Sequence, residues 1–164
     1  AHILSGPCAL ILGMIQLGER FRLRFTNWHR YLGRIQVVCV LLLVSPSGLW
    51  MARYAETGAV AGAGFATLAI ATGLCVALGW KSAMQRRFSE HRLWMWRCYI
   101  LLCSAVLIRV QGGLYTVINM DAEWLYPQAA WTSWLAPLLL FELYQVSQRN
   151  RPHSLPNLTA RRVG

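Results

Sequence analysis

The chain has 164 residues, of which 56% are hydrophobic and 13% charged, and its 16 Lys+Arg against 6 Asp+Glu leave a formal net charge of +10. Soluble domains carry about 25% charged residues, so this composition excludes an ordinary water-soluble domain and points to a single-domain integral membrane protein. The placement of the cations, rather than their number, excludes nucleic acid as the partner: they collect on alternate connections between apolar runs.

Five apolar segments follow one another, at 3–17, 35–55, 59–80, 98–118 and 129–147. A helix needs about 20 apolar residues to cross roughly 30 Å of hydrocarbon. The second to fifth are long enough; the first is short. A lone strand would leave backbone groups unpaired in lipid, so each segment is expected to be helical. The expected fold is an all-α polytopic membrane helix bundle of about five transmembrane helices over residues 1–149, followed by a basic, disordered, membrane-hugging tail over 150–164. The chain opens on Ala1 with no signal-peptide pattern, and its first run is short. A further helix ahead of residue 1 is therefore expected. The run from Gly58 to Trp80 carries Gly58, Gly62, Gly64, Gly73 and Gly79. Small residues let helix backbones approach closely, which places this run inside the bundle.

The connection at 18–34 holds Arg20, Arg22, Arg24, Arg30 and Arg34. That at 81–97 holds Lys81, Arg86, Arg87, Arg92 and Arg97, and the C-terminal end holds Arg149, Arg151, Arg161 and Arg162. Together these are 14 of the 16 basic residues. The opposite side has Arg53, Glu56, Asp121 and Glu123. Basic loops stay in the cytoplasm, so both arginine-rich connections and the C-terminus are expected there, against anionic lipid. Eight tryptophans suit interfacial anchoring, and Asp121–Gln128, with Trp124 and Tyr126, reads as an outer interfacial loop. The five cysteines (Cys8, Cys39, Cys75, Cys98, Cys103) lie in or beside apolar runs without a Cys-x-x-Cys or Cys-x-x-Cys-His pattern. They read as small buried hydrophobes rather than zinc ligands or anchors for covalently held haem.

The two arginine-rich connections resemble each other. One contains Trp28-His29-Arg30-Tyr31-Leu32-Gly33-Arg34; the other contains His91-Arg92-Leu93-Trp94-Met95-Trp96-Arg97. This suggests a parallel repeat of two helical hairpins, 3–55 and 59–118, plus a fifth helix, and puts His29 and His91 at one depth. On helices starting near them, His29 shares a face with Gly33 and His91 with Met95. Three readings compete here. Two histidines from different helices can hold b-type haem axially while arginines hold its propionates. Arg30, Arg34, Arg92 and Arg97 can grip a phosphate or other anion by bidentate contacts. Or the residues are interface anchors, with tryptophans at headgroup level and arginines snorkelling.

Arg109 is the one charge inside the fourth run. Eleven residues beyond Cys98, it lies about 16 Å along the helix, where a charge facing lipid costs about 2.5–3.5 kcal/mol on insertion scales. Glu142, the only acid inside an apolar run, is the expected partner; backbone carbonyls, Gln16 or Gln36 are alternatives, and a substrate or gating role is a third. Ser5, Ser45, Ser47 and Ser104 have no His–acid pair at their depth. No nucleotide-binding, zinc-protease or calcium-loop pattern occurs, so no catalytic residues and no metal ligands are assigned.

His2-Ile-Leu-Ser-Gly6, Gln16, the Trp28-His29-Arg30-x-x-Gly33-Arg34 block, and His91-Arg92-x-Trp94-Met95-x-Arg97 leading to Arg109 resemble the bacterial integral membrane proteins of the domain of unknown function 2306 family. The likeness covers roughly residues 2–112. It implies a multi-helix protein of a bacterial cytoplasmic membrane, with a helix ahead of the position of His2 and no settled activity. The function expected is a membrane subunit or accessory protein, alone or beside other membrane subunits, that binds a hydrophobic or anionic ligand or lipid at its cytoplasmic end. A b-type haem electron carrier and a small transporter organised around Arg109 are the alternatives.

Overall fold

The computed structural model describes residues 2–54, 58–120 and 122–150; Glu56, Asp121 and the basic tail at 151–164 lie outside the described residues. Among the described residues there is no strand. The helices are α1 (His2–Leu17), the short α2 (Glu19–Arg24), α3 (Thr26–Cys39), α4 (Ser45–Arg53), α5 (Ala59–Met84), α6 (Phe88–Val117) and α7 (Leu125–Arg149). A five-residue π-helical segment, Val40–Val44, joins α3 to α4 without a break. Its cause lies one turn on. Pro46 has no N–H to give the carbonyl four residues back, and the ladder widens just upstream. Ser47 Oγ turns back to the carbonyls of Leu43 and Val44.

Three helices are long and apolar enough to cross a membrane: Thr26–Arg53, which runs through the π segment, Ala59–Met84, and Phe88–Val117. α1 is apolar but shorter. α7 has 25 residues, about 38 Å of helix, but it carries Glu142 and a polar last turn. Two of the spanning helices begin earlier than hydropathy suggests. The apolar run expected from 35 is preceded by nine helical residues from Thr26, and the run from 98 by ten from Phe88. His29 and His91 therefore sit inside helices, not in loops ahead of them.

α5 is the inner helix, packing on α4, α6 and α7, while α1 packs on α3 and α6. Its glycines explain the closeness. A Cβ at Gly64 would stand 3.1 Å from Trp131 Nε1 on α7, and one at Gly73 3.1 Å from Ser45 Oγ on α4. A Cβ at Gly79 would run into Met95 Cε on α6. Each glycine thus admits a different neighbour. The core at the meeting of these helices is Ala9, Val40, Val44, Cys75, Val76, Cys98, Leu101, Leu102 and Trp134. Cys75 and Cys98 are buried as expected, but Cys8 is exposed on α1. The ends of α5 and α6 close alike. Arg86 (φ 59°) and Asn119 (φ 51°) take the left-handed conformation. The next N–H in each case, from Arg87 and Met120, reaches back to the carbonyls of Ser82 and Tyr115 at 2.9 and 3.0 Å, a Schellman closure. That closure at Arg86 turns the chain sharply enough for α6 to start within four residues of the end of α5.

Candidate functional site: a histidine-lined cavity between α1, α3 and α6

His29 is the fourth residue of α3 and His91 the fourth of α6. Their main-chain N–H groups bond the carbonyls of the residues just before each helix, His29 to Phe25 at 2.9 Å and His91 to Arg87 at 3.0 Å. The two first turns are thus built alike, and both side chains line one cavity of about 220 Å³. α1 contributes Gly13, Gln16 and Leu17; α2 contributes Glu19 and Arg22; α3 adds Gln36; α6 adds Arg92, Met95, Trp96, Cys98, Tyr99 and Leu102. The α6 set from His91 through Met95, Cys98 and Tyr99 to Leu102 follows the spacing of one helical face. Gln36 stands two turns beyond His29 on α3.

The histidines are held differently. His91 Nδ1 lies 2.8 Å from the carbonyl oxygen of Gly79 on α5. A carbonyl only accepts, so Nδ1 carries the hydrogen and a neutral ring keeps its lone pair on Nε2. The missing side chain at Gly79 is what lets α6 come close enough for this bond, since a Cβ there would meet both Met95 and Trp94. His29 Nδ1 is buried without a hydrogen-bond partner, as are Gln16 Nε2 and Gln36 Oε1. Gln36 Nε2 donates to the Ala9 carbonyl at 2.9 Å, which fixes the amide's orientation and makes the unpartnered atom an acceptor. A buried polar atom left unsatisfied costs about 1–3 kcal/mol. Three such atoms belong to residues that line this one cavity. Arg22, in an ion pair with Glu19 at 3.1 Å, and the exposed Arg92 stand at its open side.

The four arginines expected to form an anion site are not gathered together. Only Arg92 lines the cavity, and Arg30 and Arg34 are exposed on α3. Arg97 is committed elsewhere: its Nε and Nη2 donate to Glu142 Oε1 and Oε2 at 2.6 and 2.9 Å, and its guanidinium lies over the Trp94 ring at 4.6 Å. The expected bridge between Arg109 and Glu142 is therefore replaced by one between Arg97 and Glu142. Twelve residues, about 18 Å of helix, separate Arg97 from Arg109, and the nearer arginine takes the acid. Arg109 is exposed and donates through Nη1 to the Ala105 carbonyl of its own helix at 2.5 Å. Because α6 starts at Phe88, its midpoint falls near Leu102. Arg109 then lies about 10 Å from that midpoint, toward the end of the helix, where a long cation can snorkel without an acid. Gln16 and Gln36, considered as acceptors for Arg109, belong instead to the histidine cavity. His91 shares its cavity with Met95 as expected, whereas Gly33 packs toward the Gln16 amide. In the sequence Arg22 reads only as an orienting charge and Trp96 as an interface anchor, and Tyr99 has no assigned role; the helical spacing of Tyr99 from His91 was the available signal.

Among the described residues, no three His, Cys, Asp or Glu side chains stand together as a set for a bare metal ion. The family described as predicted membrane protein DUF2306 matches residues 1–145. The chain belongs to this family. The match runs past the 2–112 region where the sequence likeness is read, so it takes in most of α7, Glu142 and the whole cavity of this DUF2306 protein. No curated protein and no solved structure matches the chain.

Proposed function

We propose that this DUF2306 protein is a membrane-embedded binding protein, a subunit or accessory component, that holds a small ligand in the His29–His91 cavity at its arginine-rich end. The observation that carries this reading is the convergence of two histidines from separate helices on a cavity whose lining residues present three buried, unpartnered polar atoms. Interface anchors would not need such groups turned inward. The arginines at the mouth suit a ligand with an anionic edge; Arg109, far along α6 and outside the cavity, supplies no comparable support for transport.

In this reading α1 and α7 cross the membrane beside the three longer spans, giving five crossings. The 14 basic residues on alternate connections then share one side, and the cavity, both arginine-rich connections and the C-terminus face the cytoplasm of a bacterial inner membrane. The equivalent placing of His29 and His91 in the first turns of α3 and α6 supports an origin in two repeated hairpins.

Native mass spectrometry of the full chain released from lipid nanodiscs tests the binding reading. Wild type is expected to retain a non-covalent companion that the His29→Ala/His91→Ala double variant loses. A bare polypeptide, or the same lipid adducts in both proteins, overturns it.

A further inference from the structure

Resting on that binding reading, we infer that the enclosed part of the ligand is a single hydroxylated aromatic ring, a hydroquinone, held in its reduced form. The hydrogen-bonding inventory of the cavity leads there. Two of its polar atoms are fixed as acceptors by bonds to neighbouring helices. Gln36, only 6% exposed, gives an Nε2 hydrogen to the Ala9 carbonyl on α1 at 2.9 Å, and its buried Oε1 has no partner. His91 Nδ1 bonds the Gly79 carbonyl on α5 at 2.8 Å, which leaves the lone pair of a neutral ring on Nε2. Such acceptors are satisfied only by a ligand that brings hydrogens to donate. Gln16 Nε2 is a buried donor without a partner, and a hydroxyl oxygen can accept from it while giving its own hydrogen away. His29 Nδ1 can do either, according to its tautomer.

Volume and wall select the rest. About 220 Å³ exceeds the roughly 150 Å³ that takes one benzene ring and leaves room for ring substituents. A porphyrin is larger than the enclosed space, so the b-type haem considered from the sequence does not fit it. The α6 wall is Met95, Trp96, Tyr99 and Leu102, thioether, aromatic and aliphatic surface of the kind that packs on an aromatic ring. Tyr99 and Gln36 stand side by side: a Cβ on Gly13 would lie 3.0 Å from Tyr99 Cδ2 and 3.6 Å from Gln36 Nε2. An acceptor thus adjoins an aromatic wall, the pairing a phenolic hydroxyl needs. Charge points the same way. Arg22 is taken by Glu19 at 3.1 Å, so α2 lines the cavity with a neutralised pair. A carboxylate or phosphate inside would meet Glu19 and has no hydrogen for Gln36 Oε1 or His91 Nε2; an anionic substituent stays at the mouth beside Arg92. The oxidised quinone has accepting oxygens only, so it leaves both fixed acceptors unmet. A ring of this kind reaches a membrane site in two ways, as the head of a lipid-borne quinol or as a water-borne phenol.

The test is equilibrium binding to the full chain in lipid nanodiscs without oxygen. The probes are trimethylhydroquinone, which has no tail, and a decyl-tailed ubiquinol, each compared with its own quinone and with empty nanodiscs. The reduced form of at least one is expected to bind about tenfold or more tightly than its quinone, because each buried acceptor left unmet costs on the order of tenfold in affinity. Gln36→Leu and His91→Ala should each shrink that preference, and an unchanged melting temperature separates a lost acceptor from a lost fold. The wild-type preference needs no variant to be read. Equal binding of the tail-less and tailed rings assigns the ligand to a water-borne phenol, and tighter binding of the tailed ring to a lipid-borne quinol; both uphold the ring. Equal or tighter binding of the quinone overturns the inference, as does a preference that is unchanged in both variants. Failure of every ring to bind in either state also overturns it. A companion in native mass spectrometry that disappears with the two histidines then keeps the binding reading alone, and bare polypeptide ends both.

Discussion

Glu142→Gln replaces one of the two carboxylate oxygens that accept from Arg97 with a donating amide nitrogen and leaves the guanidinium without its counter-charge. The cost can be bracketed. A fully exposed pair contributes about 0–1 kcal/mol, and stripping one partner from a buried pair costs about 3–5 kcal/mol. The side chains of Arg97 and Glu142 are 22% and 38% exposed, so the pair lies between these limits, and water at the carboxylate end screens part of the effect. A loss of about 2 kcal/mol follows. The contact of Arg97 with the Trp94 face at 4.6 Å persists and holds back about 0.5–1 kcal/mol. For a chain of this size each kcal/mol shifts the melting temperature by about 2–4 °C. Thermal unfolding in detergent, followed by helical ellipticity, should thus show a drop of roughly 4–8 °C. Arg97→Met should cost less, because a stranded carboxyl group can become neutral by taking a proton and a guanidinium cannot give one up. The double variant should recover part of the deficit. If the two single losses simply add to within about 0.5 kcal/mol, the pair is not a coupled unit and the assignment of Glu142 to Arg97 loses its energetic meaning.

Other outcomes follow from the same geometry. Arg109→Leu should change thermal stability by less than about 1 kcal/mol, since Arg109 is exposed and bonds only its own helix; a loss of the size seen for a buried charge would mean it has a partner in the membrane. Gly79→Val should destabilise by about 1–3 kcal/mol through overpacking against Trp94 and Met95, with Met95→Ala recovering part in the same unfolding assay; no recovery would show that the clash lies elsewhere. Gln36→Leu removes an unsatisfied buried acceptor along with a single bond to Ala9, so stability measured by denaturation should hold within about 1 kcal/mol, while retention of the cavity ligand in native mass spectrometry falls. In a cysteine-free background, single cysteines at positions 89 and 122 should react with a membrane-impermeant maleimide from opposite sides; labelling from one side would remove the five-crossing arrangement.

The helical class was legible because composition and apolar run length act over whole segments. The family was legible from the two histidine blocks. The boundaries were less so: α3 and α6 begin in stretches full of arginine, and hydropathy averages register those charges rather than the helical backbone beneath them. That displacement hid the position of the histidines inside helices and moved the apparent centre of α6 toward Arg109. The partner of Glu142 was misread for the same reason. Counting depth from Cys98 makes Arg109 the conspicuous cation, yet Arg97, one residue outside that window, is the one beside α7. The cavity was half visible. His29 and His91 could be paired from their repeated context, but Gln36 and Gly79 acquire their roles only from packing, one by reaching the Ala9 carbonyl on another helix and the other by what it lacks.

The π segment at Val40–Val44 gives the long span Thr26–Arg53 two angular phases. Below it, α3 turns His29 and Gln36 toward α1 and α6; above it, α4 turns Ser45 and Ala52 toward α5. An α-helix advances about 100° per residue and the π turn already holds one residue more than an α turn, so inserting one further residue in this stretch would leave its upper half seated and swing the lower half about a quarter turn. His29 would leave the cavity without any change at or near it, while α4 kept its seat on Gly73. The extra backbone width therefore acts as a gear between two contact surfaces on one rod. Sequence length between Gln36 and Ser45 is as much a determinant of the cavity as the histidine itself: a variant that lengthens it by one residue could fold and insert normally and still fail to bring the two histidines together.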